Sequence, residues 1–208
     1  MRPTVTLKLA TSLDGRIATA SGESQWITGT AARLEGHHLR AAHDAILVGV
    51  ETVLADDPEL TARLPEALVD QPLRVVLDSR LRTPPAAKVS REGSLILTVA
   101  EPAPVGGAGV EQVEADEGRP SVRASLAALG SRGVSSVLIE GGGQVAASFL
   151  RAGLVDRLEW FRAPIVLGGE GRPCVAALAL ARLSDAPRFR RLAVEPCGDD
   201  LWERYERL

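Results

Sequence analysis

Short apolar segments recur along this sequence with helix-like segments between them, and this alternation is what most constrains the fold. Residues 45–49, 73–78 and 95–99 are short apolar runs, typical of strands that are buried on both faces. Helices are predicted over 29–42, 121–132 and 143–152, and further strands over 4–10, 110–113, 134–139 and 157–163. Strands that alternate with helices predict an α/β protein whose sheet is covered on both faces.

The last part of the chain has a different pattern. Two strand-like stretches, 188–195 and 200–206, are separated by turn residues and predict an antiparallel hairpin. Residues 101–109 (EPAPVGGAG) have the composition of a linker, but the strand and helix alternation continues beyond them, so they are predicted to form a surface loop. We therefore expect residues 1–208 to form a single domain, for which the chain is long enough.

The composition argues against several classes of partner. No apolar run has the roughly 18 residues of a membrane span, and the start of the sequence lacks a signal-peptide pattern, so no membrane is expected. A net charge of −3 and few aromatic residues argue against nucleic acid. Cys174 and Cys197 make no disulfide scaffold and predict the reducing cytoplasm. His37, His38 and His43 lack the i, i+4 spacing of a metal pair, so no metal is expected.

The strongest local signal is a predicted strand that runs through Glu140 into three glycines and a helix. Gly141, Gly142 and Gly143 could let backbone amides approach a phosphate at the helix N-terminus. The spacing matches neither common nucleotide motif, so a tight turn that needs positive φ explains it equally well. Glu140 lies where ligands of open α/β sheets bind, although it could instead cap the helix.

Two further clusters have polar side chains of the right chemistry for a site. Thr52 and Asp56 follow the strand 45–49 at i, i+4 spacing and could orient a polar substrate and supply a proton, although the pattern alone favours a turn. Trp26 precedes a helix and could flank a planar ligand or anchor the core. Arg33 and Arg40 share a helix face, which suits either a phosphate or solvent.

Taken together, these segments resemble the reductase domain of riboflavin biosynthesis, a family with a dihydrofolate-reductase-like fold. The resemblance rests on residues 7–18 (LKLATSLDGRIA), 22–28 (GESQWIT), 39–41 (LRA), 44–49 (DAILVG), 52–63 (TVLADDPELTAR), 74–79 (RVVLDS), 139–142 (IEGG) and 149–156 (FLRAGLVD). It runs in order over nearly the whole chain and is weakest over 82–134. It implies a mostly parallel central sheet with helices on both faces and a C-terminal antiparallel hairpin.

The resemblance also implies an NADPH-dependent reductase and assigns its site residues. The residues expected to bind the cofactor are Ala10, Trp26, Thr52, Asp56, Ser79, Gly141, Gly142, Gly143, Gln144, Val145, Ala146, Ala147 and Ser148. The residues expected to bind the substrate are Ser24, Arg40, Leu60, Arg63 and Glu140. The substrate of the family is a pyrimidine with a phosphoribosylamino group, and one hydroxyl and two guanidinium groups suit its phosphate.

The reaction implied is the reduction of the ribosyl group to a ribityl chain, with a homodimer as the expected assembly. Asp56 is the first candidate for handling the proton, Lys8 is a second, and Glu140 is expected to contact the reacting substrate. Arg80 or Arg82 could meet the 2′-phosphate of NADPH. Replacement of Asp56 by Asn should reduce turnover more than cofactor binding.

The sequence departs from the usual bacterial pattern because it lacks the H-x-E and P-C-x-x-C signatures of a zinc-dependent deaminase. A stand-alone reductase is therefore expected, either of 5-amino-6-(5-phosphoribosylamino)uracil or of the 2,5-diamino pyrimidinone before deamination. Three alternatives remain open: a dihydrofolate-reductase-like enzyme of another pathway, a nucleotide-binding regulatory module without catalysis, and a purely structural α/β domain. The dihydrofolate reductase would have no reason for Ser24, Arg40 and Arg63, and the module none for Asp56 and Glu140.

Overall fold

A computed structural model describes residues 2–65 and 69–208, and the chain divides into two compact units. The first unit is Met1–Thr4 with His37–Glu140, and the second is Val5–Gly36 with Gly141–Leu208. In chain order the elements are β1 (Thr4–Thr11), β2 (Arg16–Ala18), α1 (Thr30–Ala41), β3 (Ala45–Gly49), α2 (Val50–Asp56), β4 (Leu73–Leu77), β5 (Ser94–Thr98), β6 (Gly109–Gln112), β7 (Ala115–Asp116), β8 (Arg119–Pro120), α3 (Val122–Ser131), β9 (Ser136–Glu140), α4 (Gly143–Arg151), β10 (Arg157–Arg162), β11 (Arg172–Pro173), a 3₁₀ helix (Leu183–Asp185), β12 (Phe189–Cys197) and β13 (Asp200–Arg207).

The first unit contains a parallel sheet with the strand order β9, β3, β4, β5, β6. Two of its apolar runs are buried throughout, since every residue of β3 and β5 is buried, and Val75 and Val76 are the buried residues of β4. One face of these strands forms a core around Ile46, Val76 and Ile96. Burial on both faces explains why these strands read as continuous apolar runs rather than as an alternating pattern.

The start of this sheet is held by one carboxylate. Asp44, which precedes β3, accepts hydrogen bonds at Oδ2 from the backbone N–H groups of Ser135 (2.8 Å) and Ser136 (2.9 Å). The hydroxyl groups of the same two serines donate to it at 2.5 and 3.1 Å. These hydrogen bonds, that of the Ser135 hydroxyl first, lower the pKa of Asp44. The amino ends of β3 and β9 are therefore fixed to each other.

The second unit contains the strands β12, β13, β10 and β1 in that order. β1 and β10 are parallel, whereas β13 pairs antiparallel with both β10 and β12. The rings of Phe161 and Trp202 stack across β10 and β13 with centroids 5.3 Å apart. The expected mostly parallel sheet and the C-terminal antiparallel hairpin are thus confirmed. The single-domain organisation over residues 1–208 stays a prediction.

The buried side of α1 is not marked by large apolar residues. Leu34, His38 and Ala41 recur at helical spacing on one stripe, but Leu34 and His38 are exposed and the buried residues of the helix are Ala32 and Gly36. A Cβ atom at Gly36 would lie 3.8 Å from Nζ of Lys8 on β1. The helix therefore packs through its small residues, a pattern that apolar periodicity does not detect.

Among the residues that the structure describes, no helix is long and apolar enough to cross a membrane.

Candidate functional site

The centre of the candidate site in the first unit is an ion pair between α1 and the end of β9. Arg40 donates from Nε to Oε1 of Glu140 at 2.6 Å and from Nη2 to Oε2 at 2.8 Å. The side chains are only 17% and 10% exposed. Burial alone would lower the pKa of Arg40, but the attraction and hydrogen bonds of Glu140 outweigh it and raise that pKa. Glu140 is therefore engaged as an anion by Arg40.

The segment that follows α2 brings the second predicted arginine to the same unit. Arg63 donates from Nη1 to Oε2 of Glu59 and, at 2.9 Å, to Oγ1 of Thr61. The carbonyl oxygen of Thr61 accepts from Nη1 of Arg40 at 3.1 Å. Leu60 is buried with a positive φ of 52°, which turns the chain sharply between Glu59 and Thr61. The structure thus brings Arg40, Leu60, Arg63 and Glu140 together in the first unit.

His37 also belongs to this cluster, and the sequence analysis missed it. Its Nδ1 accepts from the backbone N–H of Arg63 at 3.2 Å and lies 3.2 Å from the carbonyl oxygen of Thr61. Burial, followed by repulsion from Arg40 and Arg63, lowers the pKa of the imidazole. Its position three residues before Arg40 on a predicted helix was the available signal.

The polar residues that follow neighbouring strands gather at the carboxyl edge of the parallel sheet. Thr52 and Asp56 lie on α2, directly after β3, and Ser79 lies just after β4. Since β4 and β9 flank β3, the ends of all three strands face the same side. Asp57 ends α2 in the left-handed conformation with φ 40°, so the helical and the turn interpretations of this segment are both correct.

The glycine turn leads into α4 in the second unit. Gly141 and Gly142 have φ values of 93° and 86°, which confirms that the turn needs glycine. A Cβ atom at Gly143 would lie 2.6 Å from the carbonyl oxygen of Pro173. Gly142, in the N-cap position, provides no side-chain hydrogen bond to the first turn of α4. The backbone amides at this end are accordingly compatible with a phosphate.

The other predicted residues of the second unit lie on β1 and on the segment before α1. Trp26 is 69% exposed, so the alternative that it anchors the core is wrong. The guanidinium of Arg33 lies over its ring at 4.8 Å. Ser24 and Ala10 are half-buried. Lys8 is also half-buried, and its Nζ lies 5.8 Å from the ring centre of Phe161. Arg33 and Arg40 therefore have separate partners.

Neither a metal cluster nor a disulfide is found. Within residues 2–65 and 69–208, no three His, Cys, Asp or Glu side chains are grouped so as to hold a metal ion. Cys174 and Cys197 are free and buried. Burial raises the pKa of both thiols.

The mostly parallel sheet, its helices and the C-terminal antiparallel hairpin define an α/β protein with a dihydrofolate-reductase-like fold. A dihydrofolate reductase from Enterococcus faecalis shares this fold, with a TM-score of 0.56 and 17% identity over 98% of this chain and 96% of that one. The chain belongs to the RibD C-terminal domain family, whose sequence profile matches residues 3–202.

Three relatives define the similarity further. The riboflavin biosynthesis protein RibD of Bacillus amyloliquefaciens is 38% identical over 96% of this chain and 56% of its own length. The 2,5-diamino-6-ribosylamino-4(3H)-pyrimidinone 5′-phosphate reductase of Methanothermobacter thermautotrophicus is 38% identical over 99% of this chain and 98% of its own. The solved structure of Acinetobacter baumannii RibD has a TM-score of 0.86 and 35% identity over 100% of this chain and 58% of that one. The chain thus spans about half the length of the RibD relatives that it matches.

Proposed function

We propose that this chain reduces the ribosyl group of a phosphoribosylamino-pyrimidine to a ribityl chain in riboflavin biosynthesis. The observation that carries the proposal is the Arg40–Glu140 pair at the end of β9, with Arg63 in the adjoining segment. A carboxylate and two guanidinium groups in one unit can receive the amino groups and the phosphate of such a substrate. The archaeal relative, which this chain matches over nearly its whole length, is named for a reductase of that kind.

NADPH is the proposed cofactor, and the glycine turn fits a dinucleotide phosphate. Gly142 leaves the first turn of α4 without a capping side chain, and no residue larger than glycine fits at position 143. The proposed cofactor residues are Ala10, Trp26, Thr52, Asp56, Ser79 and Gly141 to Ser148. Arg82 is paired with Glu51, so we propose Arg80 rather than Arg82 for the 2′-phosphate. When bound, NADPH supplies the hydride.

The proposed roles of this chain's own residues follow from their surroundings. Glu140 is fixed as an anion by Arg40, so it can accept hydrogen bonds from amino or hydroxyl groups of the substrate. Ser24 and Arg63 are proposed to bind the phosphate, with Arg40 and Leu60 shaping that part of the site. Asp56, exposed at the end of α2, is proposed to handle the proton, and Lys8 is the second candidate.

The test is NADPH oxidation, followed by absorbance, with the two candidate pyrimidines offered separately. The archaeal relative's name favours the 2,5-diamino pyrimidinone, and 5-amino-6-(5-phosphoribosylamino)uracil is the alternative. We expect oxidation with one of them and a large loss in the Glu140→Gln variant. Tight NADPH binding without oxidation of either substrate would instead favour another dihydrofolate-reductase-like activity or a non-catalytic nucleotide-binding module. NADH offered in parallel tests the preference for NADPH.

We also propose a homodimer in the cytoplasm. Val194 and Leu201 on the hairpin are exposed, and strand alternation places them on one face with Trp160 and Tyr205. The free cysteines agree with a reducing compartment. Light scattering should give the mass of two chains, and a Val194→Asp variant should shift the mass toward one. A wild-type mass of one chain at all concentrations would contradict the dimer.

A further inference from the structure

His37 is a titratable side chain beside Arg40 and Arg63 to which neither the sequence nor the family resemblance assigns a role. It lies on α1, where its side chain contacts the segment that carries Arg63, and it is half-buried. Its Nδ1 is 3.2 Å from two backbone atoms of that segment, the N–H of Arg63 and the carbonyl oxygen of Thr61. One of these groups is a hydrogen-bond donor and the other is an acceptor, so each requires a different protonation state of Nδ1.

The Arg63 amide is a donor, so it can bond only to an Nδ1 that carries no proton. The Thr61 carbonyl is an acceptor, so it can bond only to an Nδ1 that carries one. The Thr61 oxygen already accepts from Nη1 of Arg40 at 3.1 Å, whereas the Arg63 N–H points at the ring. The neutral ring with its proton on Nε2 therefore satisfies the Arg63 amide and leaves the Thr61 carbonyl to Arg40.

The charges around the ring favour the same form. Burial is the main cause that lowers the pKa of His37, and Arg40 on the same helix and Arg63 on the facing segment add to it by repelling a proton on the ring. Glu140 attracts that proton, but it is engaged in two hydrogen bonds with Arg40. Glu59, an acidic side chain of the facing segment, is paired with Arg63. The neutral imidazole is thus the form that this set of side chains supports.

We infer that His37 is the positioning residue for Arg63: its neutral Nδ1 holds the Arg63 backbone amide and so fixes the direction in which the Arg63 side chain leaves the segment. This inference rests on the proposed function, because Arg63 is there proposed to bind the substrate phosphate. Protonation of His37 replaces the bond to the Arg63 amide by one to the Thr61 carbonyl, which removes the support of Arg63. A guanidinium that must meet a phosphate in a fixed geometry loses affinity when its backbone is free to move.

The tautomer can be observed directly. Nitrogen NMR of the histidine side chains at pH 7.5 should show the His37 ring neutral with its proton on Nε2, and the Arg63 amide should be protected from hydrogen exchange. The His37→Asn variant assigns the signals, since it removes those of one ring. A His37 ring with its proton on Nδ1, or an unprotected Arg63 amide, would overturn the inference without any enzyme assay.

The kinetic experiment separates positioning from a general effect on folding. His37→Ala should raise the KM for the pyrimidine substrate about tenfold and change kcat little, the size expected for one lost hydrogen bond. His37→Asn should restore KM, because the Asn Oδ1 is an acceptor close to the position of Nδ1. The control is His38→Asn, an exposed neighbour on the same helix that should leave KM unchanged.

The pH profile provides the third readout. The KM of the wild type should rise as the pH falls and His37 gains its proton, whereas the KM of His37→Asn should lack that rise. Equal changes of kcat and KM in His37→Ala, or no rescue by His37→Asn, would mean a structural role only. If the wild type reduces neither pyrimidine, the proposed function fails, while the tautomer and the exchange protection still decide whether His37 holds Arg63.

Discussion

The guanidinium group of Arg40 and the carboxylate of Glu140 meet edge to edge, with two hydrogen bonds of 2.6 and 2.8 Å across 100 positions of the chain. This two-point geometry needs a planar fork, which a lysine ammonium cannot provide. It also fixes the helix α1 against the carboxyl end of β9, where the site lies.

Removal of one member of this pair should cost stability as well as activity. Arg40→Met leaves a largely buried carboxylate without its partner, so the free energy of unfolding should fall by about 3 kcal/mol. Arg40→Lys should keep the charge but lose the planar fork, so its free energy of unfolding should lie between those of the wild type and Arg40→Met. Urea denaturation of the three proteins measures the difference. Equal stability of Arg40→Met and the wild type would show that the pair is not maintained in solution.

Asp56→Asn tests the proposed proton-handling residue. The side chain is exposed at the end of α2, so the fold should tolerate the change, while kcat should fall about a hundredfold because the amide cannot exchange the proton. The dissociation constant for NADPH, measured by fluorescence, should change little. Losses of the same size in kcat and in NADPH binding would restrict Asp56 to the cofactor.

Trp26→Ala should weaken NADPH binding about tenfold with no loss of thermal stability. The reason is that a side chain 69% exposed contributes little to the core, whereas a flat ring beside Arg33 offers a surface for a planar group. Trp26→Phe, which keeps a ring, should recover part of the affinity. A large drop in melting temperature for Trp26→Ala would contradict this role.

Gly143→Ala should destabilise the second unit, because the added Cβ would lie 2.6 Å from the carbonyl oxygen of Pro173, a backbone atom that cannot move aside easily. Overpacking of this kind costs about 1–3 kcal/mol. Gly169→Ala is the matched control, since a Cβ there meets nothing within 4 Å. Thermal unfolding of both variants makes the comparison, and equal melting temperatures would contradict the close contact at Gly143.

Stability should also depend on the protonation of His37. Its pKa is lower in the folded chain than the ordinary value of about 6.5, so protons bind more tightly to the unfolded chain. The stabilisation that the neutral His37 ring gives to the folded chain is therefore complete above pH 6.5, and it is lost as the pH falls from 6.5 toward the lower pKa of the folded chain. His37→Asn should show a shallower loss of unfolding free energy between about pH 7 and 5. A wild type and variant with parallel curves would contradict the lowered pKa.

The sequence predicted the elements well because their signals are local. The runs at β3, β4 and β5 are predominantly apolar and are ended by polar or glycine residues, so their limits could be predicted within a residue. The two-residue strands β7, β8 and β11 were missed, since so few residues show no periodicity.

The site was predicted only in part because its contacts are not local. Arg40 and Glu140 were each recognised as candidates, but no pattern in the sequence pairs residues so far apart. The buried side of α1 could not be found from apolar spacing, because a glycine rather than an apolar side chain makes the close approach to Lys8. His37 was considered only as a metal ligand, and its hydrogen bond to the Arg63 amide becomes visible once the segment folds back over the helix.

The four hydrogen bonds that Asp44 accepts have a consequence at the opposite end of the sheet. Successive side chains of a strand point to opposite faces, so a slip of one residue between β3 and β9 would turn Glu140 away from Arg40. A carboxylate at the amino ends of these strands thus sets the alignment on which the Arg40–Glu140 pair at their carboxyl ends depends. A change at Asp44 would therefore act on this pair by remote control of strand register, moving Glu140 without altering either of its side chains.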